Sequence, residues 1–114
     1  YGGGGGREDH FLGNLHLLFA ACRQGVRAVM VTNHARIFAA DGFAELCGIR
    51  GKTVSIVPFG GEVHILESGG FYYPLPEKFV YGSTRGISNV VTEDRAFFRA
   101  QGTALVFVDQ EVKA

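Results

Sequence analysis

The chain has 114 residues, 46% of them hydrophobic, with 11 basic and 11 acidic side chains and no net charge. That composition supports a packed core and excludes disorder, and the lack of a basic run interleaved with aromatics argues against nucleic acid or an anionic membrane surface as a partner. No apolar run approaches the roughly 18 residues of a membrane span and no signal-peptide pattern is visible; Cys22 and Cys47 are too few for a disulfide framework or a cysteine zinc site, so a cytoplasmic setting is expected.

Gly2 to Gly6 form an unbroken glycine run that leads into Arg7, Glu8, Asp9 and His10 and then into a periodic apolar segment. Phe11, Leu15, Leu18 and Cys22 fall at steps of four, three and four, which is one face of a helix, and Gly25 stands where a C-terminal cap belongs. Asp9 is then at or near the helix N-cap. Free N–H groups and the positive end of the helix dipole at such a start make an anion site, with phosphate the natural candidate. Two familiar phosphate-loop fingerprints do not fit: the sixth place counted from Gly2 is Arg7, and no Lys-Ser or Lys-Thr follows the run. A low-complexity linker and an Asp that only caps a helix are the competing readings. His10 and His16 are six apart, on different helical faces, and read as non-ligands.

"VRAVMVTN" is a compact apolar run of the buried-strand type, so the first part reads loop, helix, strand, a piece of a doubly wound α/β domain. In such folds a glycine loop entering a helix follows a strand, and none precedes Tyr1, so a truncated α/β domain is expected. "RIFAADGFAEL" reads as two short strands around the hairpin dipeptide Asp41-Gly42. The period changes near Gly48 to Gly51, which sets an expected boundary between residues 1–47 and 48–114.

"KTVSIVPFGGEVHILES" reads as a hairpin through Pro-Phe-Gly-Gly, with Val54 and Ile56 on one face and Val63 and Ile65 on one face of the next strand. "GGFYYPL", "RAFFRAQGTA" and "TALVFVDQEV" add strand-like runs, so the second part is expected to be an all-β antiparallel sandwich or barrel. "YGSTRGISN", residues 81–89, is a loop rich in donors, though a wide turn uses the same residue types. Tyr72-Tyr73 is, in the ordinary case, an aromatic pair on an outer strand.

Four blocks in this order, "GGREDHFLGNLHLL", "GKTVSIVPFGGEV", "GGFYYPL" and "GSTRGISNVV", make the chain resemble the C-terminal part of thiamine pyrophosphokinase (thiamine diphosphokinase). The resemblance runs over essentially the whole chain and is most specific in the Gly-Gly-Arg-x-Asp-His and Gly-Ile-Ser-Asn blocks. It implies the end of an α/β catalytic domain in residues 1–47 and a thiamine-binding β-sandwich in residues 48–114. It also implies a homodimer that uses ATP and Mg²⁺ to place a diphosphoryl group on the thiamine hydroxyl, releasing AMP, at a site between the catalytic domain of one subunit and the sandwich of the other.

Carried over by position, the resemblance implies Arg7 and Asp9 as catalytic residues, Asp9 also as a metal ligand, and Gly5 and Gly6 in the loop beside the diphosphate. It implies Asn14 as a polar position of the substrate site, Tyr73 against the thiamine rings, and Ser88 and Asn89 on the aminopyrimidine. Tyr72 stands where the family often has a basic residue, and the family's Asp-x-Asp-type metal motif has no counterpart in this sequence. A non-catalytic thiamine-binding module built on the same sandwich and a related pterin diphosphokinase are the alternatives. The residue types suit the implied chemistry, because phosphoryl-type transfer is mostly positioning and charge neutralisation. Arg7 has the bidentate guanidinium for a phosphate, Asp9 the carboxylate for a metal or the attacking hydroxyl, and Tyr73 the face for a cationic ring.

Overall fold

The computed structural model describes residues 8–26, 28–81 and 86–109. Its first element is the expected helix, α1 (Glu8–Arg23). Leu15 and Leu18 are buried, and Phe11 and Cys22 are half-buried on the same stripe. The helix ends as a Schellman motif: the Val26 N–H reaches the Ala21 carbonyl at 2.9 Å and the Gly25 N–H reaches the Cys22 carbonyl at 3.0 Å.

Among the described residues seven strands follow: β1 (Val29–Val31), β2 (Ala35–Cys47), β3 (Thr53–Pro58), β4 (Val63–Gly69), β5 (Lys78–Phe79), β6 (Asn89–Val90) and β7 (Arg95–Asp109). They form one antiparallel sheet, so the fold is a helix followed by an antiparallel β-structure, as expected for the second part of the chain. The strand β7 is its axis. One edge of β7 pairs with β2 from Ala35↔Asp109 to Cys47↔Arg95. The other edge carries two strands end to end, β3 opposite residues 104–108 and β4 opposite residues 97–101. β6 extends the sheet beyond β3, and β5 extends it beyond β4.

Several local expectations are corrected by this topology. "RIFAADGFAEL" is not a hairpin at Asp41-Gly42; it is the single strand β2, with a register shift between Asp41 and Phe43. The segments around Pro-Phe-Gly-Gly do not pair with each other, because both use β7 as partner, and the turn between them is tied to it by the Phe59 N–H to the Thr103 carbonyl at 3.0 Å. "RAFFRAQGTA" and "TALVFVDQEV" contribute to one continuous strand, and in "GGFYYPL" Gly69 closes β4 while Phe71 makes an isolated bridge to Val91. "VRAVMVTN" yields three strand residues at the sheet edge, of which only Met30 is buried. The expected division after residue 47 falls at the end of β2, which pairs with β7 on both sides of the bulge.

Alternation along β2 and β7 sorts side chains between two cores. Ile37, Ala39, Leu105 and Phe107 face α1 and pack with Leu15, Leu18 and Met30. Phe38, Ala40, Ala96, Phe98, Ala100, Ala104, Val106 and Val108 point the other way, joining Val54, Ile56, Val63, Phe79 and Val91 in the larger core. Ile37 and Leu105 are each 1% exposed, and burying such side chains stabilises the helix–sheet contact by about 1.5–3 kcal/mol apiece.

Gly102 lies where β7 passes from its pairing with β4 to its pairing with β3. Its φ is 114°, and a Cβ there would sit 2.4 Å from the Glu62 carbonyl oxygen. The substitution Gly102→Ala is therefore expected to destabilise the fold by about 1–3 kcal/mol, combining backbone strain with the clash. Urea unfolding checks this, and a midpoint equal to that of the wild type would contradict it.

Candidate functional site

A connected polar arrangement lies beside β6. Residues 70–73 run alongside residues 89–92: the Thr92 N–H donates to the Gly70 carbonyl at 2.8 Å, Phe71 bridges Val91, and the Tyr72 N–H donates to the Val90 carbonyl at 2.8 Å. At the next step a side chain replaces the backbone ladder. Asn89 Oδ1 accepts from the Tyr73 N–H at 3.0 Å and the Val90 N–H at 2.8 Å, and Asn89 Nδ2 donates to the Tyr73 carbonyl at 2.8 Å. A carboxamide offers an acceptor and a donor together, which is what both backbone groups of Tyr73 require.

Asn89 is only 4% exposed, whereas Tyr72 and Tyr73 are 65% and 59% exposed. The buried amide thus fixes the backbone from which two tyrosine rings project outward. Those rings stand nearly perpendicular, at 87°, with centroids 4.8 Å apart. An edge-to-face pair of this kind leaves a ring face open to a flat or cationic partner.

Beside them, β3 grips the turn that precedes β6. The Ile56 N–H donates to the Gly86 carbonyl at 2.9 Å. A Cβ on Gly86 would fall 2.1 Å from the Ile56 carbonyl oxygen, so only glycine fits there. Ser88 has φ 63°, the one described non-glycine residue with positive φ, and its N–H donates to Ser55 Oγ at 2.9 Å. A strained backbone held by specific contacts is common at ligand sites. Ser55 is the residue that the sequence did not flag. A hydroxyl on the less buried face of a strand carries no signal of its long-range partner.

The other expected residues lie elsewhere. Arg7, Gly5 and Gly6 are outside the described residues. Asp9 is within the first turn of α1, and its Oδ1 accepts the His10 N–H at 2.9 Å. Its negative charge there complements the helix dipole. Asn14 is half-buried further along α1. His16 packs its ring edge-on to Phe59, centroids 4.9 Å apart, and so serves helix docking. Burial, reinforced by the Asp41 carboxylate, pushes the Cys22 thiol up from its ordinary pKa, so it remains a protonated thiol and a poor nucleophile.

The expected site residues therefore form two groups. Asp9 and Asn14 belong to α1, which packs over β1, β2 and the C-terminal half of β7. Tyr73, Ser88 and Asn89 gather around β6, at the other end of the strand order β1-β2-β7-β3-β6. A separate cavity of about 550 Å³ is lined by residues that include Arg36, Phe38, Leu46, Ile49, Lys52 and Val108, and it touches none of these groups.

Comparison with known proteins bears on the β6 group. Residues 44–102 match the family model described as "Thiamin pyrophosphokinase, vitamin B1 binding domain". A curated thiamine pyrophosphokinase of Bacillus subtilis is 31% identical over 107 residues, covering 91% of this chain and 50% of the relative. The crystal structure of the thiamine pyrophosphokinase from Bacillus subtilis superposes with TM-score 0.88 at 28% identity, over 98% of this chain and 54% of that one. That of the Geobacillus thermodenitrificans protein gives TM-score 0.79 at 25% identity, over 97% and 53%. The Candida albicans protein, 15% identical with TM-score 0.83 over 96% of this chain and 42% of that one, shares the fold. The chain spans about half the length of the Bacillus relatives it matches.

Truncating Asn89 to alanine would leave part-buried backbone groups of Tyr73 and Val90 without this partner. A loss of about 1–3 kcal/mol in stability is expected, read as a lower thermal midpoint. Asn89→Asp should not restore it, because a carboxylate cannot donate to the Tyr73 carbonyl. Full stability in either variant would contradict the bracing role.

Proposed function

Because the chain belongs to the thiamin pyrophosphokinase family, we propose that it serves the transfer of a diphosphoryl group from ATP to thiamine, giving thiamine diphosphate and AMP, as the C-terminal part of a longer enzyme. The observation that carries this reading is the Asn89 brace on Tyr73, which lies inside the matched vitamin B1 binding segment and presents exposed rings beside the strained Ser88 turn.

Thiamine joins a cationic ring to an aminopyrimidine. The ring face of Tyr73 offers the cation a stacking surface, an interaction of about 0.5–2 kcal/mol. Ser88 and the neighbouring Asn89 region supply hydrogen-bonding groups for the aminopyrimidine. Tyr72, perpendicular to Tyr73, limits how that ring can turn.

The phosphate end is assigned to α1. Mg²⁺ supplies charge neutralisation on the diphosphate when bound, and a hard cation bridging phosphates takes about one or two protein carboxylates beside phosphate oxygens and waters. Asp9 fits one such place: it is an exposed carboxylate in a first helical turn. Among the described residues no three His, Cys, Asp or Glu side chains converge on a possible ion. Arg7 is assigned to the phosphate oxygens, Gly5 and Gly6 to the backbone beside them, and Asn14 to the substrate side of the helix.

α1 packs over β1, β2 and β7, while Tyr73, Ser88 and Asn89 gather around β6, and in this proposal a site using both groups is completed by a second copy. A homodimer with the site between subunits follows. Among the described residues no helix is long and apolar enough to cross a membrane, and a cytoplasmic location is part of the proposal.

Thiamine should bind the chain measurably by calorimetry, and Tyr73→Ala and Ser88→Ala should each weaken it by roughly tenfold. AMP release from ATP and thiamine by the 114-residue chain should be negligible. Equal binding by all three proteins would refute the thiamine wall. Binding in a full-length protein that never releases AMP would favour the non-catalytic binding module, and AMP release with a pterin instead of thiamine would favour the related diphosphokinase.

A further inference from the structure

We propose that Ser55 is a positioning residue of the thiamine site, acting through the backbone of Ser88; this role rests on the reading of Ser88 given above. The ladder between β3 and β6 is regular at Thr53↔Val90 and Val54↔Asn89. It resumes beyond the turn, where the Ile56 N–H meets the Gly86 carbonyl. Between these points the backbone of Ser88 twists into the left-handed region, φ 63°, and the Ser55 hydroxyl takes up the Ser88 N–H at 2.9 Å.

The left-handed region is unfavourable for a non-glycine residue, so some contact must favour it over the extended conformation. Gly86 is fixed on one side by its contact with Ile56, and Asn89 is fixed on the other by its three side-chain bonds. Ser88 lies between two clamped points, and Ser55 holds the amide at the twist itself. That twist decides where the Ser88 side chain and the adjoining carbonyl groups are directed.

Ser88 is exposed and Ser55 is half-buried. Without the Ser55 hydroxyl, water can satisfy the Ser88 N–H, so removing it should cost little global stability. What it releases is the conformation of the turn. Ligand affinity and the exchange rate of one amide, rather than the thermal midpoint, are therefore the informative readouts.

The test compares the wild-type chain, Ser55→Ala, Ser55→Thr, Ser88→Ala and the Ser55→Ala/Ser88→Ala double variant by thiamine calorimetry, with hydrogen exchange of the Ser88 amide measured without ligand. Ser55→Ala should weaken thiamine binding about five- to tenfold, as expected for one lost hydrogen bond. Ser55→Thr, which keeps the hydroxyl, should restore it. Exchange at Ser88 should accelerate in Ser55→Ala while that at Val90 stays unchanged. In the Ser88→Ala background the Ser55 effect should largely disappear, because residues acting as one unit are not additive. Wild-type affinity in Ser55→Ala, unaltered Ser88 exchange or fully additive losses would overturn the role while leaving the thiamine site standing. Absence of thiamine binding by the wild-type chain would overturn both.

Discussion

The pairing of β7 with β2 on one edge and with β3 and β4 on the other is the constraint on which the rest of the structure depends. A strand flanked by partners on both edges must pair its backbone N–H and carbonyl groups, and β7 does so along most of its fifteen residues. Its two faces then feed two different cores. Leu105 and Phe107 seat α1, while Ala96, Phe98, Val106 and Val108 fill the larger cluster. Gly102 lies where one strand passes between these two partners, and the Glu62 backbone beside it leaves no room for a side chain.

The proposed thiamine site is mounted on this frame through β3. Because β3 is anchored to β7, its free edge is a fixed template for β6 and for the turn at Gly86 and Ser88. β6 in turn templates residues 70–73, and Asn89 completes the pairing where backbone atoms run out. Each layer is held by the one before it, so the exposed tyrosines are carried on backbone tied to β6. Rigid support beneath exposed recognition groups is what a ligand site requires, since ordering a loose loop on binding would consume affinity.

The helix and most strand material were legible in the sequence. Phe11, Leu15, Leu18 and Cys22 repeat at helical spacing, and the capping glycine is where the chain turns. What the sequence hid was partnership. Asp41-Gly42 has the composition of a hairpin turn, yet β2 continues through it because β7 pairs with both halves and Gly42 absorbs the bulge. Pro-Phe-Gly-Gly likewise looks like a hairpin loop, and tertiary context overrides that preference by giving β3 and β4 the same partner. Turn chemistry is local, whereas pairing is decided by the whole sheet.

Site residues divide in the same way. Tyr73, Ser88 and Asn89 were placed by resemblance, and the structure sets them side by side through contacts between residues 16 apart in the chain. Ser55 reaches Ser88 across a separation of 33 residues and had no sequence signature at all. The most direct test of the account is to titrate thiamine into the ¹⁵N-labelled chain and follow the backbone amide resonances. Shifts concentrated at residues 71–73 and 86–90, with β1 and the cavity near Arg36 and Lys52 unaffected, are the expected result; shifts confined to that cavity, or none at saturating thiamine, would contradict it.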